Sequence, residues 1–174
     1  MIDLNSHIRT IKDFPVPGIL FYDITTLIRK GDVFNETINR LAELAEPFKP
    51  FGAIVAPESR GFIFAAPLAT RLNVGLIPIR KPGKLPCKTV SKSYGLEYGT
   101  NTVQMDIDAL KNGDRVLIVD DLLATGGTVE ACRSLVEENG GQVAAAAFVI
   151  ELLSLKGREK IKTKNIVSLL QYEY

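Results

Sequence analysis

Residues 116–128, VLIVDDLLATGGT, set two adjacent carboxylates, Asp120 and Asp121, behind an aliphatic run, then a loop of small and hydroxyl side chains. Gly126 and Gly127 permit positive φ and let a ligand reach the backbone. A helix starting there offers unpaired amides and the positive end of its dipole. With the hydroxyls of Thr125 and Thr128 this makes an anion cradle. The G-x-x-x-x-G-K pattern of a triphosphate loop is missing, so a phosphate monoester fits better. Carboxylates repel phosphate; beside the cradle they suit hydrogen-bond donors, such as the two hydroxyls of a ribose diol.

Two further stretches carry basic side chains, which read alone also fit a solvated helix start and a solvated basic loop. ESRGF, residues 58–62, places Arg60 just after the apolar run AIVAP, and a guanidinium fork matches phosphate geometry. The segment from Arg80 to about Gly99 is rich in Pro, Gly, Lys and Ser and includes Lys81 and Lys84. A loop of that length inside a compact domain reads as a lid or as disorder. His7, the one histidine, lies on no evident site and reads as a surface residue.

The elements that must position these groups alternate in type. From Asp32 to Glu46 the apolar residues Val33, Phe34, Ile38, Leu41, Leu44 and Ala45 recur at helical spacing until Pro47 stops them. Ala53–Pro57 and Gly75–Ile79 predict short strands, with a helix over Gly61–Leu72 between them. Arg115–Val119, RVLIV, is aliphatic without alternation, as in a strand buried on both faces of a parallel sheet. A helix is expected over Thr128–Asn139, ended by Gly140 and Gly141, then strands over Val143–Leu152 and Ile166–Tyr172. Strand and helix in this rhythm predict an α/β domain with a mainly parallel sheet. In such sheets ligands bind beyond the carboxyl ends of the strands, where the acidic pair and cradle fall.

Composition bounds the partners. The 174 residues, 46% hydrophobic and 24% charged, predict one domain over 1–174. A formal net charge of +1 gives no whole-molecule field to recruit nucleic acid or an anionic membrane. No apolar run is long enough to span a bilayer, and MIDLNSHIRTIKDF lacks the core of a secretion signal, so the expected location is cytoplasmic. Cys87 and Cys132 lack metal-type spacing and read as two free thiols.

The string of hydrophobics, DD, small residues and TGGT resembles the phosphoribosyl pyrophosphate signature of the type I phosphoribosyltransferases. FPVPGILFYDITTL, ESRGFIF, PIRKPGKLP, LEYG, ELLSLKGREK and SLLQYEY extend the resemblance, across nearly the whole chain, to the adenine phosphoribosyltransferases. That resemblance implies the type I phosphoribosyltransferase fold: a central mainly parallel sheet flanked by helices, a small N-terminal hood over about 1–30, and a flexible lid over about 80–100. It implies transfer of the 5-phosphoribosyl group from phosphoribosyl pyrophosphate to adenine, giving AMP and pyrophosphate, as a step of purine salvage.

The roles it implies fall on particular positions. Ala124, Thr125, Gly126, Gly127 and Thr128 cradle the 5-phosphate; Asp120 and Asp121 take the ribose hydroxyls and favour positive charge on the ribose ring. Ser59, Arg60 and Gly61 form the pyrophosphate loop, with Arg60 facing the leaving group, and Arg80, Lys81 and Lys84 reach toward the same pyrophosphate. Leu20, Phe21 and Tyr22 read the base, Phe21 by stacking and 20 and 22 by backbone groups; many relatives carry arginine at the position of Tyr22. Glu97 contacts the purine at N7, where it can take a proton as N9 reacts, and Tyr98 is its lid neighbour. Mg²⁺ chelated by the substrate is the implied cofactor, with no direct protein ligands. The implied assembly is a homodimer, with basic lid residues completing the neighbouring site. The alternatives are a transferase for another purine, xanthine or guanine, and a non-catalytic phosphoribosyl pyrophosphate-binding regulator. Such regulators add a DNA-binding domain, for which 174 residues leave no room.

Overall fold

A computed structural model of the chain describes residues 2–95 and 100–173. The N-terminal segment folds into a hood: β1 (Arg9–Lys12) pairs antiparallel with β2 (Leu20–Asp23), followed by the short α1 (Thr25–Ile28). The Arg9 guanidinium pairs with Asp23, whose carboxylate also accepts from the Thr25 amide at 2.9 Å, which fixes the exit from β2. Then come α2 (Gly31–Ala45), β3 (Ala53–Pro57), α3 (Arg60–Leu72), β4 (Gly75–Ile79), β5 (Thr89–Gly95), β6 (Thr100–Asp106), β7 (Arg115–Leu123), α4 (Gly127–Glu138), β8 (Gln142–Leu152), α5 (Gly157–Lys160) and β9 (Ile166–Tyr172).

Five strands form a parallel sheet in the order β4-β3-β7-β8-β9. The unalternating aliphatic runs are explained by two cores, one on each face. Ile54, Leu117, Val119, Ala145 and Ala147 meet Leu41 of α2 and Phe64 and Leu68 of α3. Their neighbours Val55, Val116, Ile118, Ala146 and Phe148 meet Val129, Cys132, Leu135 and Val136 of α4. Successive side chains point to opposite faces, and both faces are dry. Cys132 is buried and Cys87 exposed, both as free thiols. Among the described residues no helix is long and apolar enough to cross a membrane.

Two expectations need correction. The strand expected over Arg115–Val119 continues to Leu123, so the acidic pair stands inside β7 rather than after it. The ladder with β8 carries on past the pair, matching Leu122 with Ile150 and Leu123 with Glu151, and backbone pairing outweighs the poor strand propensity of aspartate. The segment expected as a loop from Arg80 to about Gly99 instead contains β5, which pairs antiparallel with β6 from Thr89↔Asp106 to Gly95↔Thr100. This arm is anchored where Arg80 exchanges two backbone hydrogen bonds with Gln104.

Candidate active site

At the carboxyl ends of β3 and β7 the chain leaves a cavity of about 420 Å³, lined by Glu58–Arg60, Lys81 and residues 120–129. It thus joins two segments singled out from sequence. Its floor is the acidic pair. Asp121, 4% exposed, puts Oδ2 3.1 Å from Arg60 Nε. That contact is an ion pair by distance but lacks the alignment of a hydrogen bond, so the oxygen remains a buried acceptor without a hydrogen-bond partner. Asp120 Oδ1 accepts from the Asp121 amide at 2.8 Å. Burial, then the Asp121 charge beside it, pushes the Asp120 carboxyl well above the usual range. Burial also raises Asp121, with Arg60 opposing. The pair therefore carries negative charge at a cost that donors or a developing cation would relieve. Gly61 belongs to this floor: a Cβ there would come within 3.0 Å of Asp120 Oδ1.

The cradle wall is the start of α4. Gly126 occupies the N-cap at φ +78 with no side-chain cap, so the first amides are left for an outside acceptor. Its lack of a side chain is enforced from across the site. A Cβ on Gly126 would stand 2.4 Å from Gly157 O, and one on Gly157 would stand 2.2 Å from Ala124 O. The cradle backbone and the start of α5 are in mutual contact. Arg158 holds α5 there by pairing with Glu151, which also accepts from Ser168 Oγ at 2.6 Å. Burial pushes the Glu151 carboxyl up, but the bonds from Arg158 and Ser168 outweigh it and hold it below the usual range.

Arg60 ties the floor to the hood. Its guanidinium lies 5.6 Å from the Phe21 ring centroid, and Phe14 packs edge-on against Phe21 at 5.0 Å. Tyr22 is buried and stacked on Tyr172 at 4.4 Å, so its side chain belongs to the packing between hood and β9. This accommodates a residue other than arginine at the position. Neither Leu20, Phe21 nor Tyr22 lines the cavity; the hood residues reach it through Arg60.

The remaining expected residues separate. Lys81 lines the cavity. Arg80 is not part of the lining but pairs with a residue that is: its Nε donates to Glu58 Oε2 at 2.5 Å, and its guanidinium lies 5.8 Å from the Phe62 ring. Burial raises the Glu58 carboxyl, but Arg80 with the Lys81 amide more than compensates, leaving it below the usual range. Lys84 is exposed and away from the cavity lining. The Glu58–Ser59 peptide is cis. Glu97 and Tyr98 lie outside the described residues. His7 sits beside Lys30, its Nδ1 3.4 Å from Nζ, remote from the cavity. Sequence reasoning assigned no role to Gly157, Glu58 or Tyr94. Gly157 stands in the quoted run ELLSLKGREK, and only its contact with a cradle far away in sequence marks it out.

Residues 37–173 match the family described as Phosphoribosyl transferase domain. An adenine phosphoribosyltransferase of Chloroflexus aurantiacus is 57% identical over 170 residues, covering 98% of each chain. The chain belongs to the adenine phosphoribosyltransferase family. Among solved structures, the adenine phosphoribosyltransferase of Thermoanaerobacter pseudethanolicus superposes with a TM-score of 0.94 at 50% identity, covering 97% of this chain and 98% of that one. The Saccharomyces cerevisiae enzyme, crystallised with adenine and an imino-altritol bisphosphate, gives 0.91 at 38% identity, with 96% of both chains covered. The type I phosphoribosyltransferase fold implied by the sequence is therefore the fold observed.

Proposed function

We propose that this chain transfers the 5-phosphoribosyl group of phosphoribosyl pyrophosphate to adenine, yielding AMP and pyrophosphate. One observation carries the reading: Asp121, whose buried Oδ2 is paired with Arg60 but has no hydrogen-bond donor, lines the same cavity as the uncapped start of α4. A ribose 5-phosphate supplies both missing partners, a hydroxyl for the carboxylate and a phosphate for the amides. The family membership and the names of the relatives support adenine as the base.

In this reading N9 of adenine attacks C1 of the ribose, and the C1–O bond to pyrophosphate breaks with its electron pair leaving on pyrophosphate. Positive charge developing on the ribose is stabilised by Asp120 and Asp121, whose mutual repulsion eases as it forms. Glu97 takes the proton displaced from the purine at N7. Ser59, Arg60 and Lys81 hold the leaving group, and Phe21 supports the base while backbone groups of 20 and 22 meet its edge. For Arg60 this requires release from Asp121.

Mg²⁺ carried by the pyrophosphate belongs to the same reading. The donor set fits a cation held mainly by substrate and water: Glu58, Asp120 and Asp121 line the cavity as acceptors for bound water. When bound, the cation neutralises charge on the departing pyrophosphate. A homodimer is the proposed assembly, supported by the resemblance of the basic segment Arg80 to Lys84 to elements that complete the neighbouring site in this family. A reducing cytoplasm suits an exposed free Cys87.

Incubation with adenine, phosphoribosyl pyrophosphate and Mg²⁺ should release AMP and pyrophosphate in equal amounts, and chelation of the metal should stop it. No AMP from folded protein under these conditions would overturn the proposal.

A further inference from the structure

The arm formed by β5 and β6 meets the cradle through Tyr94. Tyr94, at the end of β5, lies with its hydroxyl 3.0 Å from Thr128 Oγ1, and its ring edge packs on the start of α4, Cδ2 standing 3.3 Å from where a Cβ of Gly127 would be. Tyr94 and Thr128 also share the wall of a second cavity, of about 320 Å³, with Glu58 and Lys81. Those two residues line the main cavity as well.

We infer that Tyr94 is a positioning residue for the 5-phosphate, acting through Thr128. The inference rests on the reading of Thr128 as part of the phosphate cradle. A threonine hydroxyl has one proton and two lone pairs. With no ligand, either hydroxyl of the Tyr94–Thr128 pair can donate. Once Thr128 gives its one proton to a phosphate oxygen, it can only accept from Tyr94. The Tyr94 proton then fixes the Thr128 rotamer and polarises its O–H toward the anion, a two-link chain stronger than its separate parts. The tyrosine ring meanwhile covers one side of the helix start, keeping water from the amides that meet the phosphate. Occupancy of the cradle thus strengthens a contact by which the arm already rests on α4.

The test is a double-mutant cycle read by AMP affinity in calorimetry, using Tyr94→Phe, Thr128→Val and the pair. Tyr94→Phe keeps the ring and its packing, so the fold is retained. It should weaken AMP about fivefold, the size of one modest hydrogen bond, and raise KM for phosphoribosyl pyrophosphate while leaving KM for adenine unchanged. In the Thr128→Val background the same substitution should cost nothing more. An unchanged AMP affinity for Tyr94→Phe, a fivefold loss persisting in the valine background, or a matching rise in KM for adenine would each overturn the inference. Unweakened AMP binding by Thr128→Val alone would instead remove the cradle reading beneath it.

Discussion

At the scale of single residues the acidic pair is where stability and function oppose each other. The Asp120 carboxyl sits above its usual range because of burial and the neighbouring Asp121 charge. A folded value above the unfolded one means that its contribution to stability is full below the unfolded value of about 3.9 and is lost as pH rises through the folded value. Asn cannot ionise and escapes that loss. Asp120→Asn should therefore raise stability near neutral pH by about 1 kcal/mol, or roughly 2 to 4 °C in Tm, with the gain vanishing at acid pH, while turnover collapses. Melting curves across pH paired with assays check both halves; a lower Tm at neutral pH would contradict the charge assignment. Glu97→Gln separates binding from chemistry: loss of a general base predicts a drop in kcat of about 100-fold or more with affinity for phosphoribosyl pyrophosphate retained. Single-turnover rates decide it, since a surface glutamate would cost under about 1 kcal/mol and leave turnover intact. The acids and the cradle were legible in sequence because their residue types stand side by side. The Arg60 contact with Phe21 was not, because nothing local in either segment couples the hood to the floor.

At the scale of elements, the helices and aliphatic strands were legible because two buried faces leave an unbroken apolar run and helices leave a periodic one. The arm was not. The strand TVSKSYG carries Ser and Lys and buries none of its residues fully, so it shows little of the apolar alternation from which strands are read, and its Gly and Lys content reads as loop. The extension of β7 to Leu123 was hidden for a related reason: pairing with β8 outvotes local propensity. Contacts between elements far apart in sequence hold the cradle in shape, and α5 shows this most sharply. Gly157→Ala places a methyl 2.2 Å from the Ala124 carbonyl oxygen, so the cradle backbone has to shift. The expected result is a loss of AMP affinity of roughly tenfold or more, since misplaced donors forfeit more than one bond to the phosphate, with the adenine KM little changed. A calorimetric affinity equal to the parent's would show that the contact does not shape the site.

At the scale of the whole molecule, one sheet end gathers sequence-distant pieces: the ESRGF loop and the cradle line the main cavity, the arm walls a second one beside it, and the hood joins through the contact of Phe21 with Arg60. What the arrangement must achieve is a choice of base. Adenine presents an amine donor where hypoxanthine presents a carbonyl acceptor, and in the proposed reading, where backbone groups of residues 20 and 22 meet the base edge, those groups cannot change sign to suit the second. A mismatched base leaves buried polar groups unpaired, and a site built on such pairing rejects the wrong partner by roughly 10⁴-fold. Rates of pyrophosphate release with adenine and hypoxanthine in competition, under saturating phosphoribosyl pyrophosphate and Mg²⁺, test the central claim most directly. The ratio of kcat/KM should favour adenine by about 10³ to 10⁴; comparable turnover of hypoxanthine would contradict the account.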